Sequence, residues 1–230
     1  MAKKEISNNG YPYVDLGFPS GTLWSTCNVG ADKPTDCGLY FQWGDTVGYT
    51  NEQIGKDKQF TWDDYKFRIN KSSTNTNEQI GKDTQFNLSD SKPIITEGAS
   101  KFNKYTEKGA SLELEDDAAH INMGGDWHMP TNEQILELFD NTTSEWETLD
   151  EVNGRLFISK SDTSKSIFIP AAGYAEDGLV YNIGKIGYVW SSMLSSKYVN
   201  YGMSLSFFVS HAYLTYYYRY LGFPVRGVIG

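Results

Sequence analysis

Few side chains in this sequence could carry acid–base, nucleophilic or metal chemistry. There are three histidines, His120, His128 and His211, and two cysteines, Cys27 and Cys37. The histidines do not stand in triad or metal-ligand spacing, and neither a C-x-x-C nor an H-E-x-x-H motif occurs. The cysteines are too few for a zinc site, and they could close a disulfide or remain two free thiols. We predict no catalytic residue, no metal and no cofactor, and expect that the protein is not an enzyme.

One acidic run, Glu115-Asp116-Asp117, offers the carboxylate ligands that calcium prefers. A solvated acidic turn or the start of a helix is the alternative, because carboxylates are favourable near a helix N-terminus. The Glu-Pro-Asn, Gln-Pro-Asp and Trp-Asn-Asp motifs of calcium-dependent sugar binding do not occur. The acidic run therefore remains a weak candidate for a metal site.

Tyrosines concentrate towards the C-terminal end of the chain. Tyr216, Tyr217 and Tyr218 are consecutive, and successive strand residues alternate between faces, so the three cannot all face one core. Tyrosine combines a large contact area, a hydrogen-bonding tip and few rotatable bonds, which suits a binding surface. Alternatively, aromatic residues favour strands and many of these belong to the core. We predict an exposed recognition surface that contains Tyr181, Tyr188, Tyr198, Asn200, Tyr201, His211, Tyr213, Thr215, Tyr216, Tyr217, Tyr218 and Leu221. The scaffold would contain Trp190, Phe207, Phe208, Phe223 and Val225.

The elements that must position these residues are mainly short strands. The clearest helix is predicted over residues 132–140, where Thr131 and Gln134 form a capping-box pattern and Ile135 and Leu136 begin an apolar face that continues with Leu138 and Phe139. The Asn153-Gly154 pair predicts a hairpin turn, and the Asp177-Gly178 pair predicts another turn. Strands are predicted at 146–152, 155–159, 166–170, 180–183, 187–192, 202–209, 211–217 and 222–228. A few helices followed by many strands favour the α+β class.

The chain of 230 residues is predicted to be a single domain, 1–230, with a polar insertion at 45–110. The insertion contains an internal duplication, because residues 50–57 (TNEQIGKD) recur at 76–83. Two copies do not make a solenoid, so we interpret them as a local duplication, with a repeated ligand-binding loop as the alternative.

Composition excludes two classes of partner. The formal charge of −9 argues against nucleic acid, whose binding needs clustered lysine and arginine. No apolar run approaches the ~18 residues of a membrane helix, so membrane insertion is not expected. Residues 1–10 show no secretory h-region.

Eight motifs in this order and spacing resemble the Fibrobacter succinogenes major-paralogue-like domains of gut Bacteroidetes. They are residues 13–24 (YVDLGFPSGTLW), 27–31 (CNVGA), 40–44 (YFQWG), 115–120 (EDDAAH), 127–131 (WHMPT), 170–174 (PAAGY), 190–192 (WSS) and 222–226 (GFPVR). The resemblance covers nearly the whole chain outside the insertion. It implies a C-type lectin-like fold related to formylglycine-generating enzymes, with short antiparallel strands and one or two flanking helices. The catalytic cysteines of those enzymes lie in the C-terminal part, whereas this chain has none after Cys37.

The resemblance also has an implication for the C-terminal residues 181–223, here called the tail. Some members of the family are variable proteins of diversity-generating retroelements, whose C-terminal stretch is rewritten at adenines. The run of residues 211–223 includes tyrosine, histidine, threonine and leucine, which are reachable in this way from an asparagine codon. Residues 181–223 are the candidate variable region.

Together these features predict a receptor-recognition protein whose variable, tyrosine-rich surface binds a protein or glycan on another cell or surface. It would be extracellular, on a cell surface or on a virion, with its oligomeric state open. The alternatives are a fixed-specificity adhesin or structural component and, less favoured, an enzyme of the formylglycine-generating type. A reactive Cys27 would favour the enzyme.

Overall fold

The computed structural model of the chain describes residues 7–69 and 102–230. Strands account for 41% of the structure and helices for 10%, with two α-helices and several small antiparallel sheets. The predicted α+β, C-type lectin-like fold is therefore wrong, because the protein is mainly β. The sequence pattern located many strands correctly, but these strands divide into five small sheets rather than one central sheet with helical cover.

The first sheet joins segments from opposite ends of the chain. Its strands are β1 (Ser7–Asn8), β2 (Tyr11–Asp15), β3 (Leu23–Asn28) and β14 (Arg226–Ile229), in the order β1-β2-β3-β14. Asn9 and Gly10, both with positive φ, form the tight turn between β1 and β2. The Arg226 side chain, which is fully buried, donates from Nε to Asn28 Oδ1 at 2.9 Å and fixes β14 against β3.

The second sheet is a meander of β5 (Thr142–Leu149), β6 (Val152–Ser159) and β7 (Ser166–Pro170). Asp150 and Glu151, with φ of 47° and 67°, form the turn between β5 and β6. The prediction of a turn at Asn153-Gly154 is wrong, because both residues pair within β6. Gly154 is needed there for packing, since a Cβ would lie 2.4 Å from the carbonyl oxygen of Ile169.

The third sheet contains most of the tyrosine-rich region. It consists of β10 (Gly187–Leu194), β11 (Tyr201–Phe207) and β12 (Ala212–Tyr218), with β11 in the centre. Two short pairs lie beside it, β4 (Tyr40–Phe41) with β13 (Phe223–Pro224), and β8 (Tyr174–Glu176) with β9 (Leu179–Tyr181). In the described part of the chain, no strand pairs with the outer edge of β12.

The helices are α1 (Ala118–Met123) and α2 (Asn132–Asn141), and a short 3-10 helix, Leu114–Asp116, precedes α1. The helix predicted at 132–140 is confirmed as α2, including its capping box between Thr131 and Gln134. Ile135 and Leu138 are buried as expected, whereas Leu136 is exposed. Within the described residues, no helix has the length and apolar character to span a lipid bilayer.

The segment predicted as a polar insertion contributes to the core where the structure describes it. Five of its aromatic side chains are buried: Phe60, Tyr65, Phe67, Phe102 and Tyr105. The first copy of the repeat, 50–57, lies in turns, and its Ile54 is buried. The second copy, 76–83, lies outside the described residues.

Two large apolar clusters form the core. One contains three fully buried tryptophans, Trp43, Trp127 and Trp190, and includes part of the tyrosine-rich region. The other packs Ile135 and Leu138 of α2 against Trp24 and Phe207. The predicted scaffold residues Trp190, Phe207, Phe223 and Val225 are buried, and Phe208 is half-buried.

Candidate ligand-binding site

An open pocket lies where the sheet of β10, β11 and β12 meets the β8–β9 hairpin and residues 221–223, which follow β12. Six tyrosines line it, together with one carboxylate, one leucine and one phenylalanine. The lining residues are Tyr174, Glu176, Tyr188, Tyr201, Tyr216, Tyr217, Tyr218, Leu221 and Phe223.

The pairing of β11 with β12 places three of these rings together. Tyr201 lies opposite Tyr218, and its ring stacks on that of Tyr218 with centroids 4.5 Å apart. Tyr216 meets Tyr201 edge to face at 5.3 Å. Both arrangements are favourable for aromatic pairs, so the rings stabilise one another and form a wall.

A second group of rings forms the inner part of the pocket. Tyr188 stacks on Phe223 at 4.5 Å and meets Tyr217 edge to face at 5.2 Å. Burial raises the pKa of both phenols far above the ordinary value, and it raises that of Tyr174 to about 12. These hydroxyl groups therefore remain protonated at neutral pH, when they can donate hydrogen bonds.

Glu176, at the end of β8, brings a carboxylate to the pocket. The hydroxyl group of Tyr220 donates to its Oε1 at 2.6 Å. Burial raises the pKa of Glu176; the hydrogen bond from Tyr220 opposes this, and the charge of Asp177 adds to it. The carboxylate is thus partly desolvated and only partly compensated.

The structure brings six of the twelve predicted surface residues into the pocket lining. The other six lie around it or farther along the sheet. Tyr181 stacks on Tyr174 at 5.4 Å, and the Tyr198 ring lies 5.8 Å from that of Tyr216. The Asn200 carbonyl accepts a hydrogen bond from the Arg219 N–H, and Thr215 lies opposite Ser204 in the sheet. His211 lies just before β12, and Tyr213 is the second residue of that strand.

Four of the twelve predicted residues are buried rather than exposed: Tyr188, Tyr201, Tyr217 and Leu221. Tyr217 is enclosed because Tyr188 and Phe223 pack against its ring. Tyr181 and His211 are exposed, and the other six are half-buried. The predicted surface is therefore a buried aromatic platform with a partly exposed rim.

Sequence reasoning missed Tyr174, Glu176 and Phe223 as parts of the pocket. The Asp177-Gly178 turn was recognisable, and the structure confirms it, with positive φ at both residues. That hairpin places β8 near the tail through the bridge between Ala175 and Gly222. The hairpin was visible in the sequence, but its packing partner was not.

The acidic run predicted as an alternative calcium site already contains a cation. Lys104 Nζ lies 2.7 Å from Glu113, 2.6 Å from Glu115 and 2.6 Å from Asp116. A metal ion at these carboxylates would have to displace the lysine. Asp117 instead caps α1, and it accepts from the backbone N–H groups of His120 and Met129.

Replacing Asp116 with asparagine should reduce stability at neutral pH by about 1–3 kcal/mol and weaken its acid dependence. Burial raises the pKa of Asp116, but hydrogen bonds from Lys104, Lys66 and Tyr105 outweigh it and lower the pKa below the ordinary value. A lowered pKa in the folded state stabilises the protein above the unfolded pKa, and this stabilisation is lost as pH falls through the folded value.

The measurement is the melting temperature from pH 7 to pH 2.5 for wild type, Asp116→Asn and the control Asp63→Asn. Asp63 is highly exposed and pairs with Arg68, so its variant should follow the wild-type curve. If Asp116→Asn lost as much stability on acidification as wild type, the lowered pKa of Asp116 would be excluded as a source of acid sensitivity.

The remaining chemically capable side chains have structural surroundings. Cys27 and Cys37 are free thiols, and burial raises the pKa of Cys37. The rings of His120 and His128 lie within hydrogen-bond distance of backbone carbonyls. The His211 ring lies within hydrogen-bond distance of the Ser210 hydroxyl group.

The pocket thus offers aromatic faces, phenolic hydroxyl groups and one carboxylate. Its lining residues include no histidine, cysteine, serine or lysine. No family model, curated protein or solved structure matches this chain.

Proposed function

We propose that this protein is a recognition protein that binds a partner non-covalently through the tyrosine-rich pocket and its rim. The observation that carries the proposal is the convergence of six tyrosines from β8, β10, β11 and β12 on one open pocket. Tyrosine gives much contact area for little loss of side-chain entropy, and its hydroxyl can bind polar partners. The partner would be a protein or a glycan on another cell or surface, met outside the cell or on a virion.

The division between platform and rim supports a variable specificity. The buried rings of Tyr188, Tyr201 and Tyr217 would hold the shape of the pocket. Half-buried and exposed residues of β12 and its preceding turn would set specificity, because part of each side chain is accessible to a partner. Among the described residues, the backbone of β12 pairs only with β11, so its other edge is open to a partner.

We include diversification by a retroelement in this proposal, on the strength of the resemblance in the tail. Sequencing codons 181–223 in a source population tests it. Substitutions should concentrate at rim positions, for which the clearest cases are His211, Tyr213, Thr215, Tyr216 and Tyr218. Buried Tyr188 and Tyr217 should vary no more than Trp190.

A uniform tail would overturn diversification and favour a fixed-specificity adhesin or a structural component. The burial of four predicted surface residues favours that second candidate, because core residues serve the fold whatever the ligand. Variation spread evenly over rim and core would contradict the division between platform and rim.

A further inference from the structure

The tyrosine-rich pocket carries one negative charge, the half-buried carboxylate of Glu176. Of its nine lining residues, Glu176 is the only charged one. Tyr220 donates to Oε1, and in the described part of the chain no side chain or backbone group donates to Oε2. None of the ion pairs among the described residues includes Glu176.

Aromatic rings and a carboxylate together favour a positively charged ligand. The face of a tyrosine ring is electron-rich and attracts cations within about 6 Å of its centroid. A partly desolvated carboxylate forms stronger ion pairs than an exposed one. An anion would be repelled by both groups and by a chain of net charge −9, and a neutral ligand would leave Glu176 without a counter-charge.

We propose that the pocket binds the cationic side chain of a lysine or arginine presented by a partner protein, with Glu176 as its counter-ion and the tyrosine rings as its walls. This inference rests on the proposed function and adds the chemistry of the ligand. An uncharged glycan would not compensate Glu176, so the proposal favours a protein partner with a basic side chain.

The affinity should depend on pH in a defined direction. Binding of a cation requires ionised Glu176, and the titratable groups beside it are Tyr174, Asp177 and Tyr220. Since the pKa of Glu176 is raised by burial, affinity should fall on acidification at a pH above the ordinary glutamate range. Tyr174 and Tyr220 stay protonated throughout that range, because burial raises the pKa of both phenols.

The test uses two small probes on the whole chain, Nα-acetyl-lysine amide and the uncharged Nα-acetyl-norleucine amide. Binding is followed by the NMR shifts of the amide groups at 174–177. The lysine probe should bind at least about tenfold more tightly, and added salt should weaken its binding. Glu176→Gln, which can still accept from Tyr220, should weaken it by about five- to tenfold.

Asp177→Asn is the matched control, because it removes the same charge one residue away in an exposed turn. It should change affinity by less than about twofold. Equal binding of the two probes would overturn the cation proposal but leave the pocket as a ligand site. If neither probe bound, the cation proposal would also be overturned. The proposed function would then be tested on its own, by the sequence variability of residues 181–223. Salt and pH dependence in wild type keep the test decisive if Glu176→Gln does not fold.

Discussion

Replacing Gly173 with alanine should lower the free energy of unfolding by about 3–5 kcal/mol. Gly173 has a φ of +68°, where a side chain is strained, and its Cβ would lie 1.9 Å from the carbonyl oxygen of Tyr181. Because the clash is with backbone, no side-chain rotation relieves it. The Gly173 N–H also donates to the Ile186 carbonyl at 2.9 Å, and a displacement of Gly173 would weaken this bond between the segments that flank the β8–β9 hairpin. Urea denaturation measures the loss.

Gly184 supplies the matched control in the neighbouring turn. Its φ is +74°, but a Cβ there would meet no atom within 4 Å. Gly184→Ala should therefore cost only the conformational strain, about 1–2 kcal/mol. Equal losses in the two variants would show that the contact with Tyr181 is relieved at no cost. They would also show that the backbone around Tyr181 moves readily to make room for a methyl group.

Replacing Arg219 with alanine should destabilise the protein by about 3–5 kcal/mol. Its fully buried guanidinium lies 3.7 Å from the ring centroid of Phe102 and 5.4 Å from those of Trp43 and Tyr65. Nη1 donates to the carbonyl of Tyr105 at 2.9 Å. None of the ion pairs among the described residues includes Arg219; its contacts there are with aromatic rings and the Tyr105 carbonyl.

A methionine at the same position separates volume from charge. Arg219→Met keeps much of the packing and removes a desolvated charge, so it should lose less than about half as much stability as Arg219→Ala. Lys185→Ala, an exposed loss of charge, should leave the unfolding midpoint nearly unchanged. If methionine were as damaging as alanine, the guanidinium itself would be required, through its interaction with the rings and with Tyr105.

The sequence predicted those features that depend on neighbouring residues. The capping box of Thr131 and Gln134 spans four residues and defines the start of α2 by itself. The Asp177-Gly178 turn likewise needs only local conformation. Asn153-Gly154 has the same kind of local signal, but long-range pairing with β7 overrides it and moves the turn to Asp150 and Glu151.

Features that depend on distant segments could not be predicted in this way. The pocket combines residues of β8, β10, β11 and β12 with Leu221 and Phe223. The sequence pattern indicated only the tyrosines of the later strands. Strand alternation indicated that Tyr216, Tyr217 and Tyr218 cannot all be buried together. It could not tell that Tyr188 and Phe223 enclose the middle one. The prediction of the fold class was wrong for a related reason, because the number of strands does not determine how they divide into sheets.

The pairing of β14 with β3 has a consequence for protein synthesis. Arg226 and its partner Asn28 are separated by 198 positions, so the first sheet cannot close until the ribosome has translated past the tyrosine-rich tail. A premature stop codon within that tail would leave Trp24 and the edge of β3 uncovered. Such a product would expose apolar surface and be open to proteases. Only chains whose tail has been read through to β14 would reach the folded state, which acts as a check on the reading frame.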